Sequence, residues 1–226
     1  NHRNLIEWRL RKAEASVWFA LTENDSVQLN KRTVLEGHVL KRLLPEAVLQ
    51  IRVRHKSMNA MATFAFIYAA GLTISDALRA LAQYRGEPHR VEYVMTVNGV
   101  DYIDDSKGTN VGATVAALEG LGANGIKLVV ILGGDGKGQD FSPIADSMAK
   151  HARGAVLIGR DAPLIEKALQ GAQYPIIHAK DMPQAVQKAS ELAQPHDCVL
   201  LSPACASWDM FKDYAQRSAI FIASAK

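Results

Sequence analysis

The sequence predicts an α/β protein whose main part is a doubly wound, mostly parallel β-sheet between about residue 88 and residue 226. Two apolar runs without alternation, LVVIL at 128–132 and AVLI at 155–158, are typical of strands covered on both faces. Strand, loop and helix then repeat in that order, which is the pattern of βαβ units. Both observations indicate parallel strands joined by helices that cover the sheet.

The first third of the chain gives weaker signals. Short β-like runs predict an antiparallel edge rather than a complete fold, and they lie at 17–21, 27–29, 33–35 and 48–53. An apolar helix is expected at 58–70, where Gly71 ends it. A second helix is expected from Ser75 to about Tyr84.

The sequence RGEP at 85–88 interrupts the helical pattern, because helices end before such a Gly/Pro pair. We therefore expect an incomplete unit at 1–87 and the main domain at 88–226. His89 and Arg90 follow the junction at once. They are either solvated linker side chains or a cationic pair that faces a cleft between the two domains.

The main domain is expected to open with a hairpin. Strands at 91–97 and 100–103 flank Asn98-Gly99, a pair that supplies the two positive φ angles of a type I′ turn. Later strands are expected at 128–132, 155–158, 175–178 and 199–201. Helices are expected to begin near Thr109, Ser142, Asp161, Asp181 and Ser207. A cap residue with a proline close behind marks three of these starts, at Ser142, Asp161 and Asp181.

Composition limits the classes of function. The 226 residues carry a formal net charge of +3 and no long basic run, so we expect no nucleic-acid partner. Two cysteines without a metal or disulfide pattern favour a reducing, cytoplasmic compartment. No apolar run reaches the length of a membrane span, so no membrane contact is expected. The start, NHRNLIEWRLRK, has no methionine and no signal-peptide core, which favours a fragment of a longer protein.

The candidate site lies where the strands of the main domain end, since ligands of wound sheets bind outside the carboxyl ends of strands. Four loops lie at this edge, at 104–109, 133–142, 159–161 and 202–209, and three of the four are rich in small and polar residues. Lys137 supplies a cation, while Ser202 and Ser207 supply hydroxyls. Together with helix-start N–H groups they suit a small polyanion.

Two nucleotide motifs do not match. No Gly-x-x-x-x-Gly-Lys-[Ser/Thr] loop occurs in the chain. The run GGDGKG contains Gly-x-Gly-x-Gly rather than Gly-x-Gly-x-x-Gly. A nicotinamide dinucleotide remains an alternative, because Arg160-Asp161 ends the next strand, where a ribose or 2′-phosphate would be recognised.

A family resemblance rests on four stretches: EPHR at 87–90, DDSKGTN at 104–110, ILGGDGKGQDFSP at 131–143 and LLSPACASWDMFKDYAQR at 200–217. In that order they resemble the C-terminal part of the Mur ligases of peptidoglycan synthesis, and in particular the branch that adds D-glutamate. The resemblance covers the chain from about His55 to the end. It implies a Rossmann-like amino-acid domain at 88–226, preceded at 1–87 by the tail of a central ATPase domain.

The resemblance also implies site residues. Thr109 and Lys137 would take one carboxylate of D-glutamate, and Ser207, with the backbone near Trp208 and Tyr214, would hold the other. Two further sets act at the nucleotide. Catalytic groups that close over the phosphates would be His89, Arg90 and Lys107. Residues that bind ATP would be Asn59, Arg90, Asp105 and Lys107.

The implied chemistry is amide ligation. ATP phosphorylates the carboxylate of UDP-N-acetylmuramoyl-L-alanine, and the amine of D-glutamate attacks the acyl phosphate and expels phosphate. The resemblance places the P-loop and most Mg²⁺ ligands upstream of Asn1, so we predict no metal ligands in this chain. A monomer is expected, and the fragment alone would be inactive.

Three positions depart from the family pattern: Lys56 follows His55 where Asn is usual, Ser218 stands where glycine is expected, and Tyr214 stands where phenylalanine is common. Two alternatives stay open. One is a free-standing Rossmann-like module that binds a nucleotide or another anion. The other is a Mur ligase that takes a different amino acid.

Overall fold

A computed structural model gives two units, Asn1–Gly86 and Glu87–Lys226. It describes residues 5–8, 15–21, 26–33, 38–45, 63, 67, 73–84, 86–123 and 125–226. The expected helix at 58–70, with Asn59, and the expected strand at 48–53 lie outside the described residues, apart from Thr63 and Ile67.

The first unit contains an antiparallel sheet. Its strands are β1 (Leu5–Trp8), β2 (Ala15–Leu21), β3 (Ser26–Thr33) and β4 (His38–Pro45). They pair in sequence order, so the sheet is a meander. Helix α1 (Ile74–Gln83) follows and ends at Tyr84, as the turn signal at 85–88 predicts.

The second unit is built on six strands: β5 (Glu92–Val97), β6 (Val100–Asp104), β7 (Leu128–Gly133), β8 (Ala152–Ile158), β9 (Ile176–His178) and β10 (Cys198–Leu201). Their order in the sheet is β5-β6-β10-β7-β8-β9. Only β5 runs antiparallel, paired with β6, and Asn98 and Gly99 between them have φ of 52° and 77°. The predicted mostly parallel sheet and its opening hairpin are confirmed.

Four helices connect the parallel strands, and a fifth follows β10: α2 (Val111–Gly122), α3 (Ser142–His151), α4 (Ala162–Ala168), α5 (Met182–Leu192) and α6 (Tyr214–Ser224). α2 packs on α3 and α5 packs on α6, and helices cover both sides of the sheet. The centre of the core is formed by β7, β8 and β10, whose apolar side chains are buried, and their apolar runs lack alternation for that reason.

The predicted helix starts have mixed outcomes. The Asp181 side chain caps α5 by accepting the N–H of Gln184, as expected. Ser142 is the first residue of α3 rather than its cap, and Asp161 precedes α4 without a side-chain cap bond. The prediction of a helix at Ser207 is wrong: α6 begins at Tyr214, because the Asp213 carboxylate caps it.

Within the described part of the chain, no helix combines the length and the apolar character needed to cross a membrane.

Candidate functional site

The strand order places the carboxyl ends of β6, β10, β7 and β8 side by side. The residues that follow these strands are therefore neighbours, and we call them the β6 loop (105–110), the β7 loop (134–141), the β8 loop (159–161) and the β10 loop (202–213). β10 lies between β6 and β7, although it comes last in the chain. The chain changes direction across the sheet at this point, which is where wound sheets bind ligands.

Backbone hydrogen bonds join the β7 and β10 loops. Asp135 and Ala206 exchange two of them, at 2.9 and 2.8 Å, and the N–H of Gly133 donates to the carbonyl of Pro203 at 2.9 Å. Glycine is required at 133 and 134. A Cβ on Gly133 would lie 1.8 Å from the carbonyl oxygen of Ile158, and one on Gly134 would lie 2.3 Å from that of Ala206.

Gln139 connects three loops through one side-chain amide. Its Oε1 accepts the N–H of Val111 at 2.9 Å, and its Nε2 donates to the carbonyl of Ala204 at 2.7 Å. The start of α2, the β7 loop and the β10 loop are thus held at fixed separations. The sequence analysis did not identify Gln139, since a glutamine in a polar loop has no distinguishing pattern.

A buried set of side chains joins the β6 and β10 loops. The Ser202 hydroxyl lies 2.7 Å from Oδ2 of Asp105 and 3.0 Å from Oγ1 of Thr114. Oδ1 of Asp105 accepts the N–H of Val91 at 3.2 Å. Asp105, predicted to bind ATP, is therefore buried and bonded within the fold, and its nucleotide role stays a prediction.

Arg217 joins the same loops and is fully buried, with 0% exposure. Its guanidinium donates to the Ser106 hydroxyl at 3.0 Å, to the Ser106 carbonyl at 2.8 Å and to the Cys205 carbonyl at 3.1 Å. Burial lowers the pKa of Arg217 to about 10. The sequence carried a signal for it: Arg217 is four residues before Phe221, so helical periodicity puts both on the buried face of α6.

The three residues expected to hold D-glutamate lie on three of these adjacent loops. Thr109 is half-buried on the β6 loop, Lys137 is exposed on the β7 loop, and Ser207 is 3% exposed on the β10 loop. Among the described residues, no hydrogen-bond partner lies near the Thr109 hydroxyl, the Ser207 hydroxyl or the Lys137 ammonium. Lys137 adopts the left-handed conformation, with φ of 53°, where Oδ1 of Asp135 accepts its N–H at 2.9 Å.

Trp208 covers this cation from outside. The Lys137 Nζ lies 5.0 Å from the centroid of the Trp208 ring, a cation–π distance, and Trp208 is 70% exposed. From the sequence, only the backbone near Trp208 was expected to help bind a carboxylate. The structure adds an indole face that contacts the ammonium.

The predicted phosphate-side residues surround Tyr214. Nζ of Lys107 lies 5.3 Å from the Tyr214 ring centroid, and the ring of His89 packs edge-on against Tyr214 at 5.7 Å. The Lys107 N–H donates to the His89 carbonyl at 3.1 Å. Arg90 is exposed next to His89. Tyr214 was predicted on the D-glutamate side, so residues of both predicted sets meet at this ring.

His89, Glu92 and Asp104 form a cluster whose possible ligand atoms all lie within 4.8 Å of one another. Nδ1 of His89 is 2.8 Å from Oδ2 of Asp104, and Oε2 of Glu92 accepts the His89 N–H at 2.9 Å. The sequence analysis predicted no metal ligands and did not identify this cluster, because the three residues belong to different turns and strands.

Arg160, which was considered as a residue that recognises a 2′-phosphate, forms ion pairs with carboxylates of the fold. Its guanidinium pairs with Asp135 on the β7 loop, and its Nε lies 3.6 Å from Oδ1 of Asp161. The backbone N–H of Arg160 donates to Oδ2 of Asp209 at 2.8 Å. The other oxygen of Asp161 accepts the Gly136 N–H at 2.6 Å, so the β8 loop supports the β7 loop.

Comparison with known proteins identifies the family of the chain. The family model "Mur ligase, glutamate ligase domain" matches residues 89–205. The UDP-N-acetylmuramoylalanine–D-glutamate ligase of Polaromonas sp. is 50% identical over 218 residues, which is 96% of this chain and 35% of that protein. The enzyme of the same name from Burkholderia mallei is 54% identical over 182 residues, 80% of this chain and 36% of its own. The chain thus spans little more than a third of these relatives.

Solved structures share the fold at low identity. The UDP-N-acetylmuramate–alanine ligase of Thermotoga maritima matches with a TM-score of 0.63 and 16% identity, over 95% of this chain and 46% of its own. MurF ligase from the same organism, in complex with ADP, matches with a TM-score of 0.55 and 13% identity over the same shares. Because the family model matches more than half of the residues of this chain, the chain belongs to the Mur ligase family.

Proposed function

We propose that this chain is the carboxyl-terminal portion of an ATP-dependent ligase that joins D-glutamate to UDP-N-acetylmuramoyl-L-alanine. Residues 88–226 would be its amino-acid-binding domain, and residues 1–87 would belong to a central ATP-binding domain. The names of the curated relatives at about half identity support the substrate assignment. The chain contains no P-loop motif, so on this proposal it does not turn over ATP alone.

One observation carries the proposal. On one edge of the sheet, Thr109, Lys137 and Ser207 keep two hydroxyls and an ammonium without hydrogen-bond partners in the part of the chain that the structure describes. Neighbouring hydroxyls at Ser106, Ser202 and Thr114 are all bonded within the fold. A buried hydroxyl without a partner is costly, unless a ligand or water satisfies it.

The chemistry of these groups suits a small dicarboxylate. Lys137, with the Thr109 hydroxyl, would bind one carboxylate of D-glutamate, because a carboxylate that leaves water needs a charge-assisted partner. Ser207 and the nearby backbone of Trp208 and Tyr214 would bind the other. Binding both carboxylates would orient the amine toward the acyl phosphate. This orientation is how positioning would contribute to ligation.

His89, Arg90 and Lys107 would act on the phosphate side. Arg90 and Lys107 are exposed cations beside a half-buried imidazole, so they fit the polyphosphate of ATP without rearrangement of a buried group. They would neutralise charge on the transferred phosphoryl group while the amine attacks the acyl phosphate and phosphate departs. The ligands of Mg²⁺ would lie mostly in the upstream part of the ligase.

The compartment and the assembly follow from the same proposal. Cys198 and Cys205 are free and buried, which accords with a reducing cytoplasm. We propose that the ligase acts there as a monomer.

Calorimetry on the 226-residue chain tests the site. Millimolar D-glutamate, L-glutamate and NADPH are titrated in parallel, first into the unaltered chain and then into Lys137→Ala. The proposal predicts heat with D-glutamate that exceeds the heat with L-glutamate and that is lost in the variant. Heat with NADPH alone would contradict it and favour a free-standing nucleotide-binding module.

A further inference from the structure

Ser218 lies on α6 directly after Arg217 and is fully buried, with 0% exposure. Its hydroxyl donates to Oδ2 of Asp104 at 2.6 Å. The family resemblance leads us to expect glycine at this position, and glycine has no hydroxyl. The chain therefore carries a buried donor beside the end of β6 for which the resemblance gives no reason.

Asp104 is the residue that contacts His89. The same oxygen, Oδ2, lies 2.8 Å from Nδ1 of His89, while Oδ1 accepts the N–H of Ser106 at 2.9 Å. An ionised carboxylate only accepts hydrogen bonds, so Ser218 and the His89 Nδ1–H both act as donors here. This arrangement selects the Nδ1–H tautomer of neutral His89 and leaves the lone pair on Nε2.

The His89 backbone is also restrained. Its φ of 63° lies in the left-handed region, which a residue with a Cβ adopts only when its surroundings impose it. Oε2 of Glu92 accepts its N–H at 2.9 Å, and its carbonyl accepts the N–H of Lys107 at 3.1 Å. With the backbone fixed, the direction of the ring depends on its contacts with Asp104 and Tyr214.

We propose that Ser218 is a positioning residue for His89. Its hydroxyl holds the Asp104 carboxylate in the rotamer in which Oδ2 faces the imidazole, and it thereby fixes the tautomer and the orientation of the ring. Because Ser218 is buried on α6, its hydroxyl is held at a fixed position beside Asp104. The inference rests on the proposed function only in assigning His89 to the phosphate side.

Nuclear magnetic resonance of the 226-residue chain tests the contact without any assay of activity. Two-bond ¹H–¹⁵N spectra of the imidazoles report the tautomer of each histidine. We expect His89 to show the Nδ1–H pattern in the unaltered chain and in Ser218→Thr, which keeps a hydroxyl. Ser218→Ala is expected to show a mixture with the Nε2–H pattern, while His178 on β9 stays unchanged as an internal control.

The same His89 pattern in Ser218→Ala and in the unaltered chain would overturn the proposal. If Ser218→Ala does not fold, Ser218→Cys replaces it, since a thiol of nearly the same size is a weak donor. Added Zn²⁺ or Mg²⁺ that removes the Nδ1–H signal at micromolar concentration would also overturn it. That result would make His89, Glu92 and Asp104 a cation site.

A kinetic measurement tests the role in ligation. In a chimaeric ligase, this chain replaces the 218 matching residues of the Polaromonas relative. Ser218→Ala should lower kcat by about 2- to 10-fold, the effect of one lost hydrogen bond, with the KM for D-glutamate changed by less than about 2-fold. Ser218→Thr should restore kcat.

An unchanged kcat, or an equal change in kcat and KM, would contradict a positioning role. A chimaera without any turnover on D-glutamate would instead contradict the proposed function. The spectra would still decide whether Ser218 orients His89, so the two failures are distinguishable.

Discussion

Two sets of polar side chains share one edge of the sheet, and their bonding differs. In the first set, Ser106, Ser202 and Arg217 direct their polar groups into the fold, where partners on other loops accept or donate. In the second set, Lys137 and Ser207 have no hydrogen-bond partner for their side chains among the described residues. The first set holds the loops together, and on the proposed function the second set binds a ligand.

The contrast holds within single loops. Ser202 and Ser207 are both buried serines of the β10 loop, but only Ser202 is bonded to a side chain that the structure describes. Polarity or burial alone would not separate them. What separates them is whether the fold already satisfies the group, and this makes the comparison testable by matched substitutions.

The largest expected effect is on the first set. Arg217→Met should lower the free energy of unfolding by about 3 kcal/mol, because two buried carbonyl oxygens, of Ser106 and Cys205, lose their donors. Arg160→Met, at a side chain that is 61% exposed, should cost less than about 1 kcal/mol. Urea unfolding of both variants measures the difference, and equal losses would contradict the structural role assigned to the buried Arg217 guanidinium.

In the second set, Lys137→Ala should raise the KM for D-glutamate by about 10- to 100-fold, the effect of a lost charge-assisted hydrogen bond. The KM for ATP should change by less than about 2-fold. Steady-state kinetics of the chimaeric ligase measure both constants, and Lys167→Ala, an exposed lysine on α4, serves as the control. Equal increases in both KM values would count against the assigned role.

The two serines give the sharpest matched pair. Ser202→Ala should cost about 1–3 kcal/mol of stability, because it removes the hydroxyl that donates to the buried Asp105 carboxylate and contacts Thr114. Ser207→Ala should leave the free energy of unfolding within about 0.5 kcal/mol and weaken D-glutamate binding instead. Thermal unfolding and calorimetry are measured on each variant. A reversed pattern would show that the sets are assigned wrongly.

The last effect appears only at alkaline pH and concerns the Cys205 thiol, which is buried in the β10 loop. Burial, with the charge of Asp161 as the next cause, raises its pKa from 9.0 to about 12. The unfolded thiol therefore loses its proton first, and stability present below pH 9 is lost as the pH rises toward 12. Between about pH 9 and 11 the unaltered chain should lose up to about 1.4 kcal/mol more per pH unit than Cys205→Ala. Urea unfolding at several pH values measures the two slopes, and parallel slopes would contradict the shift.

Much of the fold was predictable from local patterns. The unbroken apolar runs identified β7 and β8, and Asn98-Gly99 identified the hairpin, since both signals lie in neighbouring residues. The helix predicted at Ser207 failed, because the β10 loop continues as far as the Asp213 cap.

The site was predictable only in part. Lys137 and Ser207 stand out through motif resemblance, and the strand order brings their loops together. The sequence did not reveal that Asp105 and Ser202 bond each other, because their separation of 97 residues is closed only by the fold. The roles of Arg217 and Ser218 depend on contacts of the same long range.

The most direct test of the central claim is amino-acid-dependent phosphate release by the chimaeric ligase, supplied with ATP and UDP-N-acetylmuramoyl-L-alanine. The account predicts release with D-glutamate, little with L-glutamate, and loss of D-glutamate dependence in Lys137→Ala. Turnover that is driven equally well by another amino acid, or that is unaffected by Lys137→Ala, would contradict it.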